Sequence, residues 1–182
     1  MTEATVYEAG PARGARVIKG DDKWTLVLER ELYHAPELVW EALIDPEQLR
    51  EWAPFEAEGD LGTAGATVKL TWIGSGASVP VKVTRADAPR VLEFADIRWE
   101  LEPTRDGTHL TLWHSIDKRY VAWGTAGWHI ALDVLGRRLA GEPASRPAGA
   151  DAAKNPVWQR LVTEYAEMFG AELPKWAPKT GR

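Results

Sequence analysis

Apolar residues recur at every second position through much of the first two thirds of the chain, and at every third or fourth position in the remainder. "KWTLVLEREL", residues 23–32, sets Trp24, Leu26 and Leu28 on alternating positions, the period of a half-buried strand. The period changes at once in "HAPELVWEALIDPEQLREW". Pro36 suits the first turn of a helix, where its missing N–H would have no intrahelical acceptor. Leu38, Val39, Ala42 and Leu43 then supply an apolar side. Asp45 is placed to cap a second short helix, with Pro46 at its first position and Gln48 at the reciprocal position of a capping box. Leu49 and Trp52 continue the pattern, and Pro54 stops it.

Strand spacing then returns. "ATVKLTW" groups Val68, Leu70 and Trp72, and "SVPVKVTRA" groups Val79, Val81 and Val83, with Pro80 marking an edge or a bulge. Asp87-Ala88-Pro89-Arg90 reads as a turn before "VLEF". "IRWELEP" alternates Ile97, Trp99 and Leu101 with charged residues. Asp106-Gly107 turns a hairpin, and "THLTLWHSI" returns with Leu110, Leu112, His114 and Ile116 on one parity. This succession predicts an antiparallel meander rather than βαβ units. In "YVAWGTAGWHIALDVLGRRLAG" a stripe of Trp128, Leu132, Leu135 and Leu139 marks a long helix, whose apolar side needs the preceding sheet to cover it. A loop over 142–156 leads to a last helix in "VWQRLVTEYAEMF", with Gly170 as its stop. The expected organisation is an irregular arm over 1–22 with room for one edge segment, a single α+β domain over 23–170, and a tail over 171–182 carrying Trp176.

Composition narrows the function. The formal charge is −5, and no long basic tract interrupts it, which argues against nucleic acid or an anionic membrane surface as partner. The chain has no cysteine, which removes disulfides and thiolate chemistry. Its opening residues lack the basic and apolar parts of a signal segment, and no apolar run reaches the roughly 20 residues of a membrane-spanning helix. The cytoplasm is therefore the expected location. Ten tryptophans are the unusual feature, since indole joins a large apolar area to one N–H donor. They suit a packed core or an aromatic-lined pocket.

Motifs for chemistry are sparse. His109 and His114 fall on opposite faces of an ideal strand. His129 and Asp133 lie four apart on the long helix but lack a third ligand, and no HExxH occurs, so neither a metal nor a cofactor is expected. No GxSxG elbow or phosphate-cradling glycine loop appears. His114 is the titratable residue of most interest. It can orient a ligand, transfer a proton, or bond to backbone and secure the strand exit. Asp117, three residues on, reads as a turn or cap. No catalytic residue is assigned.

The order of "APELVWEALIDPEQLREW", "APRVLEF", "LTLWHS" and "GWHIALDVLGRRLAG" resembles the START-like, or SRPBCC, superfamily, specifically relatives of the C-terminal domain of the activator of Hsp90 ATPase. The resemblance covers about residues 24–141. It implies a helix-grip (START-like or Bet v 1-like) fold, a curved antiparallel sheet wrapped around a long C-terminal helix with two short helices closing one end. Such folds often enclose an apolar cavity. Here its walls would come from Trp52, Leu70, Trp72, Trp99 and Leu101, from Trp113 or His114 according to parity, and from Thr125, Trp128, His129 and Leu132 on the helix. Trp40 would pack between the short helices and the sheet. The expected function is binding of a small hydrophobic or aromatic ligand. The resemblance also admits a co-chaperone-like domain with a protein partner, or a polyketide cyclase or dehydratase-like enzyme.

Overall fold

The computed structural model describes residues 10–146 and 154–173. The elements run β1 (Ala15–Ile18), β2 (Lys23–Leu32), α1 (Pro36–Ile44), α2 (Pro46–Trp52), β3 (Phe55–Glu58), β4 (Thr67–Trp72), β5 (Ser78–Asp87), β6 (Val91–Phe94), β7 (Ile97–Pro103), β8 (Thr108–Asp117), α3 (Val121–Leu139) and α4 (Pro156–Phe169). The strands form one antiparallel sheet in the order β1-β2-β8-β7-β6-β5-β4-β3. It curves around α3, which makes this a helix-grip α+β fold. No helix among the described residues is long and apolar enough to cross a membrane.

The alternation along β2 and β8 decides which side chains meet α3. Leu26 pairs with His114, Leu28 with Leu112 and Arg30 with Leu110, so these positions share the concave face. Leu26, Leu28, Leu110 and Leu112 are all fully buried. The opposite parity carries the charges. On that side His109 sits between Glu31, bonded to its Nδ1, and Glu29, 3.1 Å from its Nε2. The hydrogen bond to Glu31 raises the His109 pKa above its ordinary 6.5, burial opposes the rise, and Glu29 adds to it.

A raised folded-state pKa contributes stability fully below about pH 6.5, and that contribution is lost as pH climbs through the raised value. His109→Gln is therefore expected to flatten the fall in Tm between pH 6 and pH 9. The effect should stay under about 1 kcal/mol because the pair sits at the surface. Melting curves of both proteins across that range check it, and parallel curves would contradict it.

Two local details differ from sequence expectation. β3 was not foreseen, because its four residues, Phe55–Glu58, are too few to display a period; Phe55 and Ala57 point into the core. Gln48 does not complete a capping box. Its amide lies 3.5 Å from the Asp45 side chain, because the Asp45 N–H already donates to Glu41 O at the end of α1. Asp45 still accepts from Glu47 N at 3.1 Å. Pro80 takes the edge alternative rather than the bulge: it occupies the half of β5 paired with β4 alone among the described strands, and the register shift falls at Thr84. The loop expected over 142–156 is described except for 147–153, and Trp176 lies outside the described residues.

Candidate ligand-binding cavity

α3 does not fill the concave side of the sheet. Its Trp128, Leu132 and Leu135 pack into the core, while Gly124, Gly127 and Ala131, spaced three and four apart, turn a face of small residues toward the open end. A Cβ built on Gly127 would meet nothing within 4 Å. The resulting cavity has a volume of about 680 Å³, inside the roughly 300–1,000 Å³ usual for small-molecule sites. Five of the ten tryptophans line it: Trp52, Trp72, Trp123, Trp128 and Trp158. Val79 and Tyr120 line it too and are themselves exposed, so the space reaches solvent there.

Behind this wall the aromatic packing is tight. Trp99 meets Trp128 edge-on at 5.4 Å and Trp52 at 6.2 Å. Trp52 donates its indole N–H to Ala42 O at 3.0 Å, which ties α2 to α1. The pair of short helices is thus a rigid end-plate, and Trp52 shows one edge to the cavity. Trp40 is buried beneath the same helices.

His114 is the polar group set deepest among these rings. The Trp128 Nε1–H donates to its Nδ1 at 3.0 Å, and Trp72 stacks on the imidazole at 5.9 Å and 9°. Burial, with a smaller contribution from Lys23 and against the pull of Asp96, lowers the His114 pKa to about 4. The ring is therefore neutral at physiological pH. Asp117 does not join it. That carboxylate accepts from Arg119 N at 2.9 Å and pairs with the Arg119 guanidinium, whose hydrogen bonds lower its pKa to about 2. His114 bonds to a side chain of the long helix rather than to backbone, and it locks β8 to α3.

The segment after α3 completes the mouth. Arg146 reaches back to the carbonyls of Leu49, Ala53 and Phe55 and to Glu56 at 3.1 Å. It thereby satisfies carbonyls at the end of α2, where a cation is favoured. Trp158, near the start of α4, meets Trp123 edge-on at 5.6 Å, and Trp123 meets Tyr120 at 5.9 Å.

A buried polar cluster on the far side fixes α4. The Arg30 guanidinium, a donor only, lies 3.4 Å from His129 Nδ1, and the Tyr165 hydroxyl is 2.7 Å from the same nitrogen. Nδ1 is thus the acceptor, and His129 Nε2 faces Asp133 at 3.4 Å, within ion-pair distance but poorly aligned as a hydrogen bond.

The structure sorts the sequence candidates. Trp52, Trp72, His114 and Trp128 converge on the cavity. Trp113 has the opposite parity, pairs across the sheet with Val27, and lies under Arg98 on the outer face. His129 is turned from the cavity into the Arg30–Tyr165 cluster, which corrects its expected place on the wall. Thr125 is sealed in the helix, donating to Val121 O at 2.7 Å. Leu70, Trp99, Leu101 and Leu132 are core residues one layer back. Trp123, Trp158, Arg146 and the small-residue face were not anticipated. Among the described residues no cluster of three or more His, Asp or Glu could hold a metal.

Fold and cavity together define a helix-grip protein with an aromatic pocket between sheet and helix. The Activator of Hsp90 ATPase homolog 1-like protein family model matches residues 33–140, and the chain belongs to that family. Solved structures share the fold. CalU16 from Micromonospora echinospora is 22% identical with a TM-score of 0.62, covering 89% of this chain and 98% of its own. EF2215, a conserved protein of unknown function from Enterococcus faecalis, is 18% identical with a TM-score of 0.64, covering 85% and 89%. An AHSA1-like protein from Aeromonas hydrophila is 21% identical with a TM-score of 0.51, covering 68% and 98%. No curated protein matches at the same stringency. The family match ends at residue 140, so α4 and its Trp158 lie beyond it.

Proposed function

We propose that the chain binds a small, uncharged, hydrophobic or aromatic molecule in the cavity beneath α3. The observation that carries this reading is an apolar space of about 680 Å³ walled by five indoles, with one neutral imidazole set among them. Burial of ligand surface contributes roughly 25 cal/mol per Å², and the polar group orients what the rings hold. The candidate contacts are Trp52, Trp72, His114, Trp123, Trp128 and Trp158. Binding fits the geometry better than acid–base turnover does. A base that protonates only near pH 4 is a weak proton acceptor at neutral pH, and no carboxylate among the described residues is hydrogen-bonded to it.

The test is a titration of intrinsic tryptophan fluorescence with 9-fluorenone, an uncharged planar probe. Saturable quenching at one equivalent is expected, because half of the indoles face the site. Quenching that stays linear in probe concentration, as collision alone produces, would remove the proposal.

A further inference from the structure

We infer that the cavity selects ligands presenting an uncharged oxygen acceptor (a ketone, ether or phenolic oxygen), because Trp128 fixes His114 as a hydrogen-bond donor toward the ligand. This rests on the binding reading above and names the chemistry that the same site prefers.

A tryptophan Nε1–H donates and never accepts, so the 3.0 Å contact requires a lone pair on His114 Nδ1. Turning the imidazole over would set a ring C–H against that N–H and leave it unpaired among apolar side chains, which costs on the order of a full hydrogen bond. A neutral imidazole with an unprotonated Nδ1 carries its proton on Nε2. The stacked Trp72 ring, 9° from parallel, holds the imidazole plane. His114 Nε2 has no hydrogen-bond partner among the described residues, and it is not sealed in protein, since the sealed unpartnered side-chain atoms are Arg30 Nε and His129 Nε2. The result is a rigid N–H on the cavity wall.

Three of the other polar groups on the wall are already engaged. Arg146, the one cation among the described lining residues, is engaged with three carbonyls and Glu56. Asp96 is held by Lys23 at 3.1 Å, and Ser115 Oγ lies 3.2 Å from Thr25 Oγ1. A bound hydrocarbon strips water from the His114 N–H and returns nothing, whereas an oxygen acceptor restores the bond.

The experiment compares 9-fluorenone with fluorene, the same tricycle without the carbonyl, on the full chain and on His114→Phe. Phenylalanine keeps a flat ring against Trp72 and removes the donor. Taking the ratio of the two affinities within each protein cancels the greater hydrophobicity of fluorene. The preference for fluorenone is expected to fall about tenfold in His114→Phe, equivalent to about 1.4 kcal/mol. An unchanged ratio, with both probes still bound, overturns the donor assignment and leaves the binding reading standing. Failure of the native chain to bind either probe overturns both.

Should His114→Phe not fold, long-range ¹⁵N–¹H spectra of the native protein decide. Protonated Nε2 with bare Nδ1, and an Nε2–H resonance shifted by fluorenone but not by fluorene, supports the inference. A proton on Nδ1, or equal shifts from both probes, rejects it.

Discussion

Gly127→Leu is expected to lose about a hundredfold in affinity for 9-fluorenone while melting no lower than the native chain. The Gly127 Cα faces open cavity, so a new side chain grows into space that the ligand would occupy. A leucine there displaces three or four ligand carbons, each contributing about 0.8 kcal/mol when buried. That loss corresponds to roughly two orders of magnitude in affinity. Helix propensity acts the other way, because glycine within a helix is about 1 kcal/mol worse than alanine, and leucine is nearly as good as alanine. Gly127→Ala is the control, adding stability with little loss of binding. Fluorescence titration and thermal melts on the same preparations check both halves. Undiminished binding in Gly127→Leu would place the ligand elsewhere.

Trp128→Ala is expected to cost about 3–5 kcal/mol, the usual range for emptying a large aromatic site, and a large share of the roughly 5–15 kcal/mol that holds a domain together. Trp128 is 1% exposed, packs edge-on against Trp99 and Phe55, and donates to His114. Truncation therefore removes ring contacts and a bond between α3 and β8 together. Trp128→Phe keeps most of the apolar area, loses the indole donor, and should fall between the two. Urea unfolding midpoints of the three proteins measure it. A loss under about 1 kcal/mol for the alanine variant would mean that α3 does not rest on the sheet through this residue.

The helix grip was legible because its large elements each carry an unmistakable period. β2 and β8 alternate, α1 and α2 start on prolines, and α3 has its Trp128–Leu132–Leu135 stripe. The cavity was less legible, because that stripe shows where the helix packs and not where it leaves room. The room is written in Gly127 and Ala131, while Gly124 lets Ile116 approach the helix. Three glycines inside one helix, Gly124, Gly127 and Gly136, each unfavourable by about 1 kcal/mol against alanine, were the available signal.

Trp123 on α3 and Trp158 on α4 face each other across a wide gap in sequence, a juxtaposition that no periodicity encodes. Arg146 closes the α2–β3 corner through backbone carbonyls, which carry no sequence signature. Parity separated His109 from His114 correctly but left Trp113 and His114 as alternatives until the β2–β8 register was known. His129 sits beside Trp128 and was misplaced for that reason: one residue is 100° of helix, enough to turn it from the ligand side toward Arg30 and Tyr165.

The decisive test of ligand binding beneath α3 is a high-resolution crystal structure of the full chain soaked in 9-fluorenone. Planar density is expected beneath α3, against Gly127 and between the tryptophans, with the ketone oxygen within hydrogen-bonding distance of His114 Nε2. Side chains collapsed into that volume, leaving no room for a ring system in either soaked or unsoaked crystals, would contradict it.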